Sequence, residues 1–173
     1  EFQMIFRIAF TLFITKLIVM ATSCSGQVGG GDFSRRDRPA VVAGAFYPAS
    51  EQQLRNEIKE YFDKSDKVLN SKPLALIVPH AGYVFSAGVA ANAYCQLDRD
   101  AKFKHIFIIG SSHTMYFNGV SIYTEGDFIT PLGRVKVDPL AKELVQKYSI
   151  FNDDIKPHER EHSLEVQLPL LQY

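Results

Sequence analysis

The chain has 173 residues, 46% of them hydrophobic, and its 19 Lys and Arg balance its 19 Asp and Glu. That length and apolar fraction suit one domain with a sizeable core, and a neutral balance without a basic stripe argues against nucleic acid as a partner. Two cysteines, Cys24 and Cys95, make no disulfide framework, and no CxxC or Cys/His cluster points to structural zinc.

Glu1-Phe2-Gln3 precede Met4, and from there the chain runs MIFRIAFTLFITKLIVMATSCSG. An early Arg7, an apolar run and small residues ahead of Cys24 follow the order of a secretory signal. Ala21-Thr22-Ser23-Cys24 resembles a bacterial lipobox, in which the cysteine is acylated. Residues 1–24 are therefore expected to be a lipoprotein leader, with Cys24 as lipidation site anchoring the protein to a membrane on a periplasmic or outer face. Residues 25–38, SGQVGGGDFSRRDR, read as a flexible linker outside the fold. Two other readings stay open. One is an uncleaved span, which Lys16 interrupts and which wants roughly 20 largely apolar residues. The other is translation from Met20, which gives a cytoplasmic protein.

The folded part is expected from residue 39. Ser50 is a good N-cap, and Leu54, Ile58 and Tyr61-Phe62 recur at helical spacing, which predicts an amphipathic helix from Glu51 to about Lys64. Leu74–Val78 is a continuous apolar run between Pro73 and Pro79, short enough for a buried strand. The Gly82 turn leads into an alanine-rich helix, Val84 to Leu97, and His105–Ile109 reads as a second buried strand. Val120–Tyr123 alternates, and Phe128 to Val137 with its Pro131-Leu132-Gly133 turn predicts a hairpin. Pro139 to Tyr148 is helical with Pro139 near the first turn. A last helix opens near Glu161, with Leu164, Leu168 and Leu171 as its apolar stripe. Strand, helix, strand in this order predicts an α/β fold with a parallel sheet and crossover helices.

In such sheets ligands gather beyond the carboxyl ends of the strands. His80, in VPHAGY, and His113, in IFIIGSSH, both lie just past a predicted strand. Neighbouring strands about 4.8 Å apart would let the two imidazoles converge. Neutral imidazole is a leading ligand for iron, copper, nickel and zinc, so the pair is a candidate metal site. His162 and Glu165 share a helical face; His162 is either an acid/base or substrate donor, or simply a partner of Glu165. His158 is four residues before His162, but Pro157 and Glu159-Arg160-Glu161 read as a solvated loop. His105 enters its strand from the far end and is structural. Tyr83 and Tyr116 follow the key histidines by three positions and line a pocket or pack the core. Cys95 reads as a buried inert thiol within its helix. No nucleophile elbow, Walker or dinucleotide pattern is present.

AGAFYPAS, VPHAGYVFSAGVAANAYCQL, IFIIGSSH and EHSLEVQLP, in this order and spacing, resemble the Memo family, called in bacteria AmmeMemoRadiSam system protein B. The resemblance runs from about Arg38 to the end. It implies an α/β sandwich around a mainly parallel sheet with flanking helices, like that of the class III non-haem-iron extradiol dioxygenases, with a metal at the strand ends. By resemblance His80 and His113 are metal ligands, and His162 is a third pocket histidine serving as catalytic acid/base. Tyr83 and Glu165 then contact substrate. The implied cofactor is an iron or copper ion and the implied activity redox chemistry on an unassigned small molecule. The eukaryotic relatives are also regarded as adaptors for phosphotyrosine-containing peptides, so a non-catalytic cleft for an anionic peptide or metabolite is the alternative, and an inactive fragment a third. Memo-like proteins are longer, so residues 39–173 correspond to the N-terminal half of such a domain, an apparent C-terminal truncation. The family's third ligand, a cysteine of the later half, has no counterpart in Cys95, and two histidines alone are expected to hold metal weakly.

Overall fold

The computed structural model describes residues 35–173. The expected leader, Cys24 and most of the expected linker lie outside them. Among the described residues no helix is long and apolar enough to cross a membrane.

Leu54 and Ile58, one helical turn apart, make Glu51–Asp63 an amphipathic helix, α1, and both side chains are wholly buried. Its outer face is held by Glu51–Arg55 and Lys59–Asp63 pairs at i,i+4 spacing. Ser50 occupies the N-cap position in extended conformation but makes no side-chain cap bond. The alanine-rich segment forms α2, Tyr83–Tyr94, which starts from Gly82 and ends three residues earlier than the sequence suggests. Its Ala87, Ala90 and Ala91 are buried, which lets α1 lie close against it. Tyr47, Tyr83, Tyr94, Val166 and Leu170 complete this core. Burial of Leu54 or Ile58 contributes about 1.5–3 kcal/mol each.

The remaining elements are small. Val120–Ser121 (β1) pairs in parallel with Phe151–Asn152 (β4), with Val120 N–H donating to Ile150 O at 2.9 Å. Phe128–Thr130 (β2) and Gly133–Val135 (β3) form the expected antiparallel hairpin, turning on Gly133 at φ +113°. Leu140–Lys147 is α3, with Pro139 at its N-cap position, and Lys156–Glu159 is a single-turn helix, α4. A 3₁₀ turn, Glu165–Gln167, runs directly into α5, Leu168–Gln172. The chain is thus a mixed α/β structure with a small parallel sheet and helices.

Three expectations change. The runs Leu74–Val78 and His105–Ile109 are not strands: neither has ladder hydrogen bonds, and Leu74, Ile77 and Ile109 are almost fully exposed. A strand exists only through its partner, and no described segment pairs with either run. The last helix begins at Leu168 rather than Glu161, and its buried side is Leu168 and Leu170 instead of the Leu164–Leu168–Leu171 stripe. The fold also begins before residue 39. Arg38 is buried, its N–H donates to Asp127 O at 2.8 Å, and its carbonyl accepts from Ile129 N–H at 2.9 Å, so it extends the hairpin. Asp37 takes Arg35 and Arg134 as ion-pair partners. Residues 35–38 of the expected linker are therefore structured.

Candidate metal centre

The two histidines meet although the strands behind them do not form. His80 lies three residues before α2, and His113 lies in the loop after Gly110. Their ring centroids are 5.1 Å apart. His162, in the irregular segment before the 3₁₀ turn, stands 4.5 Å from His113 and 5.8 Å from His80 by the same measure. One ring nitrogen from each of the three lies within 4.8 Å of the others. Phe46 packs against His162, centroid to centroid 4.9 Å.

The segment Glu161–Gln167 builds this convergence. Gln167 Nε2 donates to Pro79 O at 3.0 Å, fixing the peptide that carries His80. Ser163 Oγ donates to Ser111 O at 3.1 Å, fixing the loop that carries His113. Gly110 makes that approach possible: a Cβ there would collide with Ser163 Oγ. Glu161 accepts from His113 at both its ring Nδ1 (2.9 Å) and its backbone N–H (2.6 Å). The same segment is anchored from below. Glu165, fully buried, pairs with Arg38 and accepts from Val41 N–H, Val42 N–H and Tyr47 Oη. Arg38 also donates to His158 O at 2.9 Å and to Glu161 O.

Electrostatics keep these groups in defined states. Burial lowers the pKa of His162, and the neighbouring His113 and His80 add to the effect against an opposing pull from Glu161. His162 is therefore neutral at pH 7, the form that donates a lone pair. Burial alone would raise the pKa of Glu161, but hydrogen bonds from His113 and Ser163 hold it down to about 2. Three imidazoles are a donor set suited to iron, copper, nickel or zinc, and the residues fit such an ion. His113 is 39% and His162 20% exposed at the side chain, so further coordination positions would face solvent. An open cleft of about 510 Å³ adjoins His113, lined by Gly110, Ser112, Thr114, Met115 and Tyr116 among others.

The other expected site residues lie elsewhere. Tyr83 is buried in the core, its hydroxyl donating to Val166 O at 2.9 Å, and Glu165 has no exposed surface. The polar atoms of both are bonded inside the protein, and neither lines the cleft beside His113. Tyr116 is 88% exposed and lines the cleft. His158 belongs to a buried turn rather than a solvated loop, and its Nε2 lies 3.0 Å from Ser121 Oγ. Ser121 gives its own proton to Asp154 O at 2.6 Å, so this contact is no activated nucleophile. His105 is partly exposed beside Asp138, 2.6 Å away. Cys95 is the C-cap of α2 and partly exposed, with Sγ near Asn92 O and Asp66 O. Glu161, Ser163, Gln167 and Arg38 escaped the sequence reading. Only the adjacency of Glu161 to His162 could have drawn attention to any of them.

A family model described as Memo-like protein matches residues 38–173. A MEMO1 family protein of Pyrococcus abyssi is 42% identical over 138 residues, covering 79% of this chain and 47% of that protein. MEMO1 family proteins of Metallosphaera sedula and Methanobrevibacter smithii are 43% and 37% identical over 147 residues, each covering 79% of this chain and 51% and 52% of their own lengths. The chain spans about half the length of the curated relatives it matches.

Proposed function

The chain belongs to the Memo-like protein family, and from that premise we propose that it is a metal-dependent redox protein whose three histidines hold one iron or copper ion. The convergence of His80, His113 and His162 carries this reading. A bound divalent ion at such a site would supply a Lewis acid and an electron-transfer centre with positions open to a small ligand. His80 and His113 donate from two loops, and His162, neutral because it is buried, donates from the third. Tyr116 and the Gly110–Gly119 loop border the opening through which a small molecule would reach the ion.

A second reading follows the family resemblance: the ion rests on His80 and His113 alone, and His162, neutral through burial, stays free as acid/base. An anionic peptide is less well matched, since the cleft lining contains no Lys or Arg to meet its charge. Family membership also underlies the proposals that the fold is the α/β sandwich of the extradiol dioxygenases and that this chain corresponds to the N-terminal half of a Memo-like domain. Membrane attachment through an acylated Cys24 rests on the ATSC sequence; mass spectrometry of the mature N-terminus tests it, and an unmodified chain starting at Met20 rejects it.

Metal analysis of protein purified without chelator tests the centre. Wild type is expected to carry iron or copper near one equivalent, and H80A/H113A to carry none. Equal contents in the two proteins reject the metal centre. H162A decides between the readings: lost metal makes His162 a ligand, while retained metal excludes it as one and leaves it free for acid/base work.

A further inference from the structure

Glu161 is 5% exposed and sits against two of the three imidazoles. Its Oε1 accepts from His113 Nδ1 at 2.9 Å and from the backbone N–H groups of His162 and Ser163, each at 2.9 Å. Its Oε2 accepts from His113 N–H at 2.6 Å. Every partner of this carboxylate is a donor, so it needs protons from all of them, including Nδ1 of His113. The backbone bonds fix where the carboxylate lies, and the ring bond fixes how His113 is turned. Glu161 does not belong to the group of donors that converge on the ion position.

We propose that Glu161 is the positioning residue of the centre: by accepting the Nδ1 proton of His113 it sets that ring's tautomer and presents Nε2 to the ion. This rests on the metal-centre reading. A carboxylate behind a ligating imidazole raises the basicity of the ligating nitrogen and removes the rotational freedom that binding would otherwise have to quench. Because the same oxygen holds the N–H groups of His162 and Ser163, one side chain sets the spacing of two ligands. A carboxylate with only a packing role would need neither the ring bond nor a particular tautomer.

Two measurements on the full chain test the role. In ¹⁵N-histidine-labelled, metal-free protein, long-range ¹H–¹⁵N spectra assigned with H113Q are expected to show His113 protonated on Nδ1 and bare on Nε2. The opposite tautomer overturns the proposal whether or not the Glu161 variants fold. The second measurement titrates cobalt(II) as probe and reads its visible absorption. E161A is expected to weaken cobalt binding about 10- to 100-fold, the usual cost of losing such a partner. E161Q, which retains an acceptor for the ring, is expected to recover part of that loss. Wild-type binding with unchanged constants in both variants overturns the positioning role alone. A wild-type chain that binds no cobalt overturns the metal centre, and the role with it.

Discussion

Gln167 holds the carbonyl of Pro79 at 3.0 Å across 88 positions of sequence, and its own Oε1 accepts from Tyr94 Oη at 3.0 Å. One amide therefore connects the end of α2, the 3₁₀ turn and the peptide just before His80. Replacement by leucine keeps the volume but leaves the Pro79 carbonyl and the Tyr94 hydroxyl without their partner. Q167L is expected to lower stability by about 1–3 kcal/mol and to weaken metal binding at His80. Denaturant titration and cobalt(II) titration check the two effects, and an unchanged cobalt constant would separate Gln167 from the site.

The Arg38–Glu165 pair is the deepest charge contact described, with side-chain exposures of 3% and 0%. Removing one partner strands the other in a place water cannot reach. R38M or E165L is expected to cost about 3–5 kcal/mol, sufficient to unfold a marginal domain. The double replacement R38M/E165L should cost less than the two single losses summed, because no orphan charge remains. Unfolding midpoints of the three variants measure this, and simple additivity would argue against a coupled pair.

Gly110 lies against the Ser163 side chain, so a methyl group there forces the 162–164 segment away from the loop bearing His113. G110A is expected to destabilise by about 1–3 kcal/mol and to reduce cobalt affinity, since the His113–His162 separation is what must yield. Retention of wild-type affinity would mean the loop and the segment move together.

Acidification should weaken the metal-free fold in two stages. His158 and His162 are both held below the ordinary imidazole value of 6.5, chiefly by burial. Below pH 6.5 the unfolded chain takes up protons that the folded chain refuses, so stability falls as pH falls. Glu161 acts in a lower window, with a folded value of about 2 against 4.5 in the unfolded chain, so its contribution is present above pH 4.5 and fades toward pH 2. Urea midpoints of chelator-treated protein should decline from pH 7 to 5.5 and again below 4.5. H158Q should reduce the first decline and leave the second. A midpoint that does not fall between pH 7 and 5.5 contradicts this account.

The three histidines were legible because each sits in a short stretch whose chemistry is local: an apolar run ending in Pro79-His80, a Gly-Ser-Ser turn before His113, and a charged cluster around His162. α1, α2, α3 and the hairpin were legible for the same reason, since periodicity and turn residues act over a few positions. What holds the site together was not. Arg38 reaches Glu165 across 127 positions and Glu161 reaches His113 across 48. In sequence Glu161 resembles solvated charge and Glu165 a pocket residue beside His162, and only the fold shows what each one faces. Leu74–Val78 and Ile106–Ile109 failed in the opposite sense. Their composition suits strands, but composition supplies no hydrogen-bonding neighbour.

Leu74, Ile77, Ile106, Phe107 and Ile109 of those two runs, with Val84, Phe85 and Val89 on α2, turn large apolar side chains to water. α2 is predominantly apolar, with Ser86 and Asn92 as its only polar side chains apart from the tyrosine hydroxyls. Bare Leu, Ile and Phe side chains invite self-adhesion. At high concentration, colloidal behaviour rather than unfolding should therefore limit how much of this chain stays dispersed. Mild detergent or arginine should extend that limit more than any change to the histidine cluster.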